Sequence, residues 1–270
     1  MKNLKDYLLN IARPELSKVH RYRNAHKGDT CYIFGDGISI KWFDLSEFSG
    51  KISIAAGSLL PFHNSFCALD VRYITLTEPF WFYPEFWTKY VTNSVSMPDI
   101  SRAYRCAIKD NPNTHFFLNL SNFPVMRGKN VSYLFRDIHD NRLDSNFITR
   151  RISAFNGSFR VAILMAIYMG FDHVYLVGCD YTHVPSRSLH WYEKGCGVFY
   201  QQENYQKEFL EIAKEFIGIT TITLDGTSDF INSITYEKYT GREPVFRENT
   251  ELVDRKYLDV LTTWPGYSIY

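Results

Sequence analysis

The order of strand-like and helix-like stretches predicts an α/β fold: a mostly parallel sheet, helices on both faces and a lid-like loop at one edge. Three observations carry that expectation. Residues 158–169 are apolar on nearly every side and stop at Gly170, where a left-handed C′ residue is wanted. The stretch after it, 171–178, is β-branched and aromatic without polar alternation, as a strand buried on both faces must be. Earlier runs at 30–34, 51–56 and 71–76 also read as strands, and each ends in glycine or small polar residues.

Taken in order, Leu4, Tyr7, Leu8 and Ile11 fall at helical spacing, and the basic segment His20-Arg21-Tyr22-Arg23 reads as a solvated approach to the domain. Strand 30–34 runs into Gly35-Asp36-Gly37-Ile38-Ser39, a turn that brings backbone amides close to a nucleotide, although tight turns use glycine for φ reasons alone. Strands 51–56 and 71–76 end at Gly57-Ser58 and Thr77-Glu78, on the edge where open α/β sheets build their sites. Residues 86–91 read as helix, 115–120 and 131–135 as strands, and 137–142 as a polar loop. Asn156 to Arg160 would present a helix amino terminus, and Asp180 and Tyr181 a strand carboxyl end. The loop 182–204 holds His183, Arg187, His190, Tyr192, Glu193 and Lys194, and loops of this length are usually lids or sites. An amphipathic helix over 205–217, a strand over 219–224 and a helix capped by Asp225-Gly226-Thr227-Ser228 and running to Tyr236 complete the pattern. The expected division is a helical segment 1–28, a nucleotide-binding domain 29–240 and a tail 241–270 that packs or serves as an oligomer arm.

With 270 residues the chain can bury a full core, and a formal charge of +1 supplies no general attraction to nucleic acid or to an anionic membrane. Aromatic residues make up 17%, and the cluster 79–87 is either core or a sugar-stacking surface. Cys31, Cys67, Cys106, Cys179 and Cys196 are odd in number and widely spaced, which favours reduced thiols over a disulfide frame or a zinc knuckle. Without an apolar run of signal-peptide or spanning length, the expectation is a cytoplasmic protein with at most peripheral membrane contact.

Three stretches together resemble a known family. Phe34-Gly35-Asp36-Gly37-Ile38-Ser39-Ile40 is similar to the Gly-Asn-Gly-Pro-Ser-Leu turn of bacterial CMP-sialic acid-dependent sialyltransferases with a single modified Rossmann domain. The related family of hydroxymethylpterin pyrophosphokinases and motility-associated nonulosonic acid transferases has the same turn. Arg151-Ile152-Ser153 with Gly157-Ser158 resembles their Arg-Ile-Thr-Ser-Gly, here with a small insertion. Residues 170–181 resemble Gly-Tyr-x-x-Ile-Tyr-Leu-x-Gly-x-Asp-Phe, and Ser188-Leu189-His190-Trp191-Tyr192 resembles the Ser-His-Tyr segment that carries the catalytic histidine. The likeness covers roughly residues 30–236 in the right order. Asp36 stands for the motif asparagine, Ile38 for the proline and Thr182 for a tyrosine; Ser58, and Thr77 or Glu78, stand where two further asparagines fall. These departures line the donor pocket, which leaves sialic acid-like and Kdo-type ulosonic acids as sugars.

The resemblance implies an inverting glycosyltransferase that moves a ulosonic acid from a CMP-sugar to a hydroxyl of a surface glycan or lipid-linked oligosaccharide, as in lipopolysaccharide or capsule. His190 would be the base, since imidazole titrates near neutrality, with an exposed loop histidine as the plain alternative and His183 in reserve. Arg151, Tyr192 and the amides of Gly157 and Ser158 would receive the leaving phosphate, unless Arg151 forms a structural ion pair. Gly35, Asp36, Gly37, Ser39, Ser58, Thr77, Asp180 and Tyr181 would complete the nucleotide site. Asp36 would face the ribose or the cytosine amino group or bond its own turn, and Asp180 would organise the loop or serve in the site. Cys179 and Cys196 read as incidental thiols. A monophosphate leaving group makes a divalent metal less necessary, so neither metal nor cofactor is expected. The partners expected are the CMP-sugar, the glycan acceptor and a second copy of the chain, with no nucleic acid. The rival readings are a pterin-type pyrophosphokinase using ATP and magnesium, and a non-catalytic nucleotide- or glycan-binding module.

Overall fold

The computed structural model describes residues 2–57, 60–84, 98–137, 152–153, 157–200, 206–262 and 266–270. Its centre is a parallel sheet of β1 (Thr30–Phe34), β2 (Ile52–Ala56), β3 (Asp70–Leu76), β4 (His115–Asn119), β5 (Val131–Leu134), β8 (His173–Val177), β11 (Gly218–Thr223) and β12 (Asn232–Thr235). Two short pairs lie apart from it: β6 (Arg136–Asp137) with β7 (Ile152–Ser153), and β9 (Ser186–Arg187) with β10 (Phe199–Tyr200). The helices are α1 (Lys2–Ser17), α2 (Pro98–Asp110), α3 (Ser158–Met169), α4 (Lys207–Ala213), α5 (Tyr236–Thr240), α6 (Asn249–Leu252) and α7 (Arg255–Leu261).

The strand order is β12-β11-β8-β1-β2-β3-β4-β5, with every pairing parallel. From β1 the chain builds outward through β2 to β5, then returns past β1 to lay down β8, β11 and β12 on its other side. The order therefore reverses between β1 and β8, and a crevice opens outside the carboxyl ends of strands at such a point. Phe34 is in register with Val177, so the Gly35 turn and the Gly178 turn leave the sheet side by side.

α3 explains why a helix apolar on almost all sides is stable here. It packs against β1, β2 and β3, and Val161, Ala162, Ile163, Leu164 and Met165 are fully buried. Gly170, at φ 81°, ends it by donating its amide to the Ala166 and Ile167 carbonyls. Methionines and branched aliphatic residues along this helix, with Cys31, Ile33 and Ile54 from the strands, make the core of one sheet face. The opposite face is aromatic: Phe34, Phe48, Phe116, Tyr104 and Trp191 pack with Leu252, Leu258 and Ile269 of the tail. The described parts of the tail, 241–262 and 266–270, thus contribute to the same core as the sheet.

The helix expected from Ser228 to Tyr236 is not formed. Residues 232–235 are the edge strand β12, and α5 starts only at Tyr236, where the Thr235 side chain accepts from the Lys238 amide. Ile234 and Thr235 pair with Ile222 and Thr223 of β11, so sheet pairing overrides a cap-like sequence. The 137–142 loop begins instead in strand β6, and its remainder and the 86–91 helix lie outside the described residues. α2 had no expected counterpart, although Pro98 at its first position and Ile100, Tyr104, Ala107 and Ile108 at helical spacing signal it.

Candidate active site

The turn after β1 and the turn after β8 are pressed together, and that contact needs glycine. A Cβ on Gly35 would lie 2.5 Å from the Gly178 carbonyl oxygen, and one on Gly37 would lie 2.6 Å from the Asp180 carboxyl. At Gly37 the φ of −65° is ordinary, so the requirement is space rather than conformation. Asp180, buried to 3% exposure, occupies the freed room: Oδ1 accepts from the Ser39 hydroxyl at 2.5 Å and Oδ2 from the Ser39 amide at 2.9 Å. Burial pushes its carboxyl up to about 6 against those hydrogen bonds.

Above this junction lies a cavity of about 670 Å³. Asp36, Gly37 and Asp180 form one wall, and Gly157, Ser158 and Phe159 at the start of α3 form another. Tyr181, Arg187, His190, Tyr192 and Tyr267 close the loop side, and Trp81, Ile100, Tyr104 and Leu261 the far side. Of the residues expected in the site, Asp36, Gly37, Gly157, Ser158, Asp180, Tyr181, His190 and Tyr192 line this one space. Gly35, Ser39 and Thr77 lie behind it: Ser39 is committed to Asp180, and the Thr77 hydroxyl is 3.2 Å from that of Ser158. Ser58 and Arg151 lie outside the described residues.

His190 is carried into the cavity by the glycine turn itself. Its backbone forms an antiparallel bridge with Gly37, and the next residue, Trp191, donates its amide to the Asp36 carbonyl at 3.2 Å and its indole N–H to Asp36 Oδ1 at 3.3 Å. Asp36 thus bonds the histidine loop as well as facing the cavity. The imidazole stacks on Tyr192 at 5.0 Å and 8° and meets the edge of Tyr267 at 5.4 Å. Its Nδ1 lies 2.7 Å from Glu193 Oε1. Burial, and then Asp36, hold the Tyr192 hydroxyl well above its ordinary range, so it remains a donor.

Arg187 lies on β9 with its guanidinium 3.8 Å above the Phe199 ring and 5.0 Å from that of Trp42. An ion pair to Asp225 at 3.6 Å and a bond to the Cys196 carbonyl at 3.3 Å hold it at the cavity wall. His183 does not reach the cavity; it is buried, and burial lowers it to about 4. Cys179 is buried with its thiol pushed far up by desolvation, which leaves no thiolate for nucleophilic work. Among the described residues no cluster of three or more histidine, cysteine, aspartate or glutamate side chains is spaced to hold a metal ion.

Sequence reasoning overlooked the partners of His190. Glu193, three residues on, carried the signal, since a carboxylate at that spacing in a turn can fold back on the imidazole. Tyr267 and Ser268, brought in from the tail, carried none.

No family model and no curated protein matches this chain. Among solved structures it is similar to a Maf glycosyltransferase from Magnetospirillum magneticum, with 12% identity and a TM-score of 0.44; the match covers 93% of this chain and 42% of that one. It is also similar to the sialyltransferase CstII of Campylobacter jejuni in complex with CMP-3FNeuAc, with 14% identity, a TM-score of 0.42 and coverage of 82% and 90%. The complex of CstII with cytidine-5′-monophosphate matches at 11% identity and a TM-score of 0.43, over 87% and 98%. The chain therefore spans less than half the length of the Maf protein. Among the described residues no helix is long and apolar enough to cross a membrane.

Proposed function

We propose that the protein is an inverting glycosyltransferase that moves a ulosonic acid from a CMP-sugar donor to a glycan hydroxyl. The observation that carries this reading is His190, held in the cavity by the same turn that would receive the nucleotide. The CMP moiety would sit over the carboxyl ends of β1 and β8, with its phosphate toward the start of α3. There the helix dipole and the amides of the first turn would favour an anion. Asp36 would take a ribose hydroxyl or the cytosine amino group, Arg187 would hold the phosphate of the bound donor, and Tyr192 would donate to it as it leaves.

In the chemical step the acceptor oxygen gives its proton to His190 Nε2 and bonds the anomeric carbon from the face opposite CMP. The bond from that carbon to the phosphate oxygen breaks, and its electrons leave on the monophosphate. Charge accumulates on one phosphate only, which a tyrosine hydroxyl and helix-end amides can receive, so the reading calls for no divalent metal. The acceptor would be a lipopolysaccharide- or capsule-type glycan met on the cytoplasmic side.

The test is CMP release from CMP-linked sialic, legionaminic, pseudaminic and Kdo donors, with and without EDTA. One donor should be turned over in EDTA, and His190→Ala should lower kcat by roughly 10²–10⁴, the usual worth of a general base. Release from none of them, with turnover of ATP in magnesium, would replace this reading by the pyrophosphokinase. Binding of CMP without turnover, unchanged in His190→Ala, would point to a binding module.

A further inference from the structure

We propose that Glu193 is the positioning carboxylate of this site and that segment 266–270 clamps it in place, so that residues far along the tail are a working part of the active centre. The inference deepens the proposed transfer and rests on His190 as its base.

Glu193 is 3% exposed in its side chain, whereas that of His190 is 42% exposed. A glutamate so deeply buried in a surface loop is costly unless its oxygens are hydrogen-bonded. Here they are: Oε1 accepts from the His190 amide at 2.9 Å and lies 2.7 Å from His190 Nδ1, and Oε2 accepts from the Ser268 amide at 3.1 Å. The tail segment is held in turn, because the Lys194 amide donates to the Ser268 carbonyl at 2.7 Å. Asn249 completes the frame by donating to the carbonyls of Tyr192 and Ile269, each at 2.9 Å. Glu193 therefore bonds the histidine, its backbone and the tail at once.

An ionised carboxylate only accepts, so the nitrogen facing it is the one that carries hydrogen. Nδ1 is then N–H in the neutral ring, and Nε2 keeps its lone pair on the exposed side of the imidazole. When Nε2 takes the acceptor proton, the imidazolium is paired with Glu193 at hydrogen-bond distance; the proton later passes to solvent. Other titratable or charged groups near this ring are Tyr192 stacked on it, Tyr267 at its edge, and Asp36, Glu78, Asp180 and Arg187 in the cavity wall. Neither tyrosine ionises near neutrality, because burial raises both.

The experiment is two-bond ¹H–¹⁵N correlation NMR on the whole protein labelled at histidine nitrogen, with the His190 signal identified by its loss in His190→Ala. The wild type should show the Nδ1–H tautomer. Glu193→Ala should shift the ring toward Nε2–H and lower kcat roughly 10²-fold, within the usual worth of a general base. Glu193→Gln keeps an acceptor but not the charge, so it should retain the tautomer, lower kcat and move the acid limb of the pH–rate profile to lower pH. Donor KM should be unchanged in both. Ser268→Pro, which lacks the amide, should show a mixed tautomer with residue 193 intact. An Nε2–H tautomer in the wild type, or no response to Glu193→Ala, would overturn the proposal. A tautomer that follows Glu193 while no CMP-sugar is turned over would uphold the clamp and refute the donor assignment.

Discussion

Gly37 and His190 face each other across an antiparallel bridge, so the turn that would hold the nucleotide and the loop that carries the proposed base are joined backbone to backbone. Trp191 locks the pair by donating twice to Asp36, and its ring is fully buried. In the proposed transfer the distance between leaving group and base would then be set by the backbone rather than by flexible side chains, which is what near-attack geometry requires.

Gly37→Ala tests this coupling. The added Cβ would lie 2.6 Å from the carboxyl of Asp180 and from the Gly178 carbonyl oxygen, so the turns must part. Overpacking of this kind costs about 1–3 kcal/mol. Thermal unfolding should show that loss, and titration calorimetry should show weaker CMP binding together with release of Ser39 from Asp180. A variant with unaltered stability and CMP affinity would contradict the coupling of the two turns.

Lys41 and Glu248 should respond unequally to substitution. Lys41 is fully buried and donates to the Gly195 carbonyl at 2.7 Å and to Glu248, which is 32% exposed. Glu248→Ala strands a buried ammonium, which costs about 3–5 kcal/mol, and removes the acceptor for the Gly195 and Asn249 amides. Lys41→Met leaves a carboxylate that water and those amides still solvate, and it should cost less than half as much. Urea unfolding compares the two, and equal losses would contradict the asymmetry.

The sheet was legible from sequence because its strands are short runs of β-branched or aromatic residues, several of them bounded by glycine or small polar residues. β1, β4 and β11 fall within a residue of their expected limits. The site was legible as far as local spacing reaches: His190 and Tyr192 in one loop, Gly37 in one turn, Ser158 at one helix start. What could not be read was set by contacts across the fold. β12 is a strand only because β11 offers it an edge, and Tyr267 enters the cavity only because α6 and α7 turn the tail back over the sheet. The role of Glu193 lay between: its spacing from His190 was visible, but its burial depends on Ser268.

Acid should weaken the fold between pH 6.5 and about 4. His63 is lowered to about 4 by burial and by Arg247, His183 to about 4 by burial, and His115 to about 3 by burial and by Arg21. Below pH 6.5 the unfolded chain binds protons that these buried rings refuse, so stability falls with pH across that window. Asp180 acts the other way: raised to about 6, it takes a proton in the folded state first, which offsets part of the slope between pH 6 and 4. These histidines, with His173 also lowered by burial, outweigh Asp180 among the described residues, so the net sign is destabilising. Urea midpoints measured from pH 7 to pH 4 should decline steadily, and a flat profile would show that the rings are not buried as neutral species.

Arg187 should govern the donor rather than the chemistry. It is the arginine that the described cavity wall presents beside Asp36 and Asp180, and stacking on Phe199 at 3.8 Å keeps its planar group in place. A lysine cannot reproduce that stacking or a two-point grip on a phosphate or carboxylate. Arg187→Lys should therefore raise donor KM with only a small change in kcat, and Arg187→Gln should raise it further, on the order of 10-fold, as expected for loss of a charge-assisted hydrogen bond worth about 1.5–3 kcal/mol. Removing the cation should also flatten the salt dependence of kcat/KM, because exposed attraction for an anionic donor is what salt screens. A fall in kcat at constant KM would instead place this guanidinium against the transition state, stabilising the phosphate only as its charge grows.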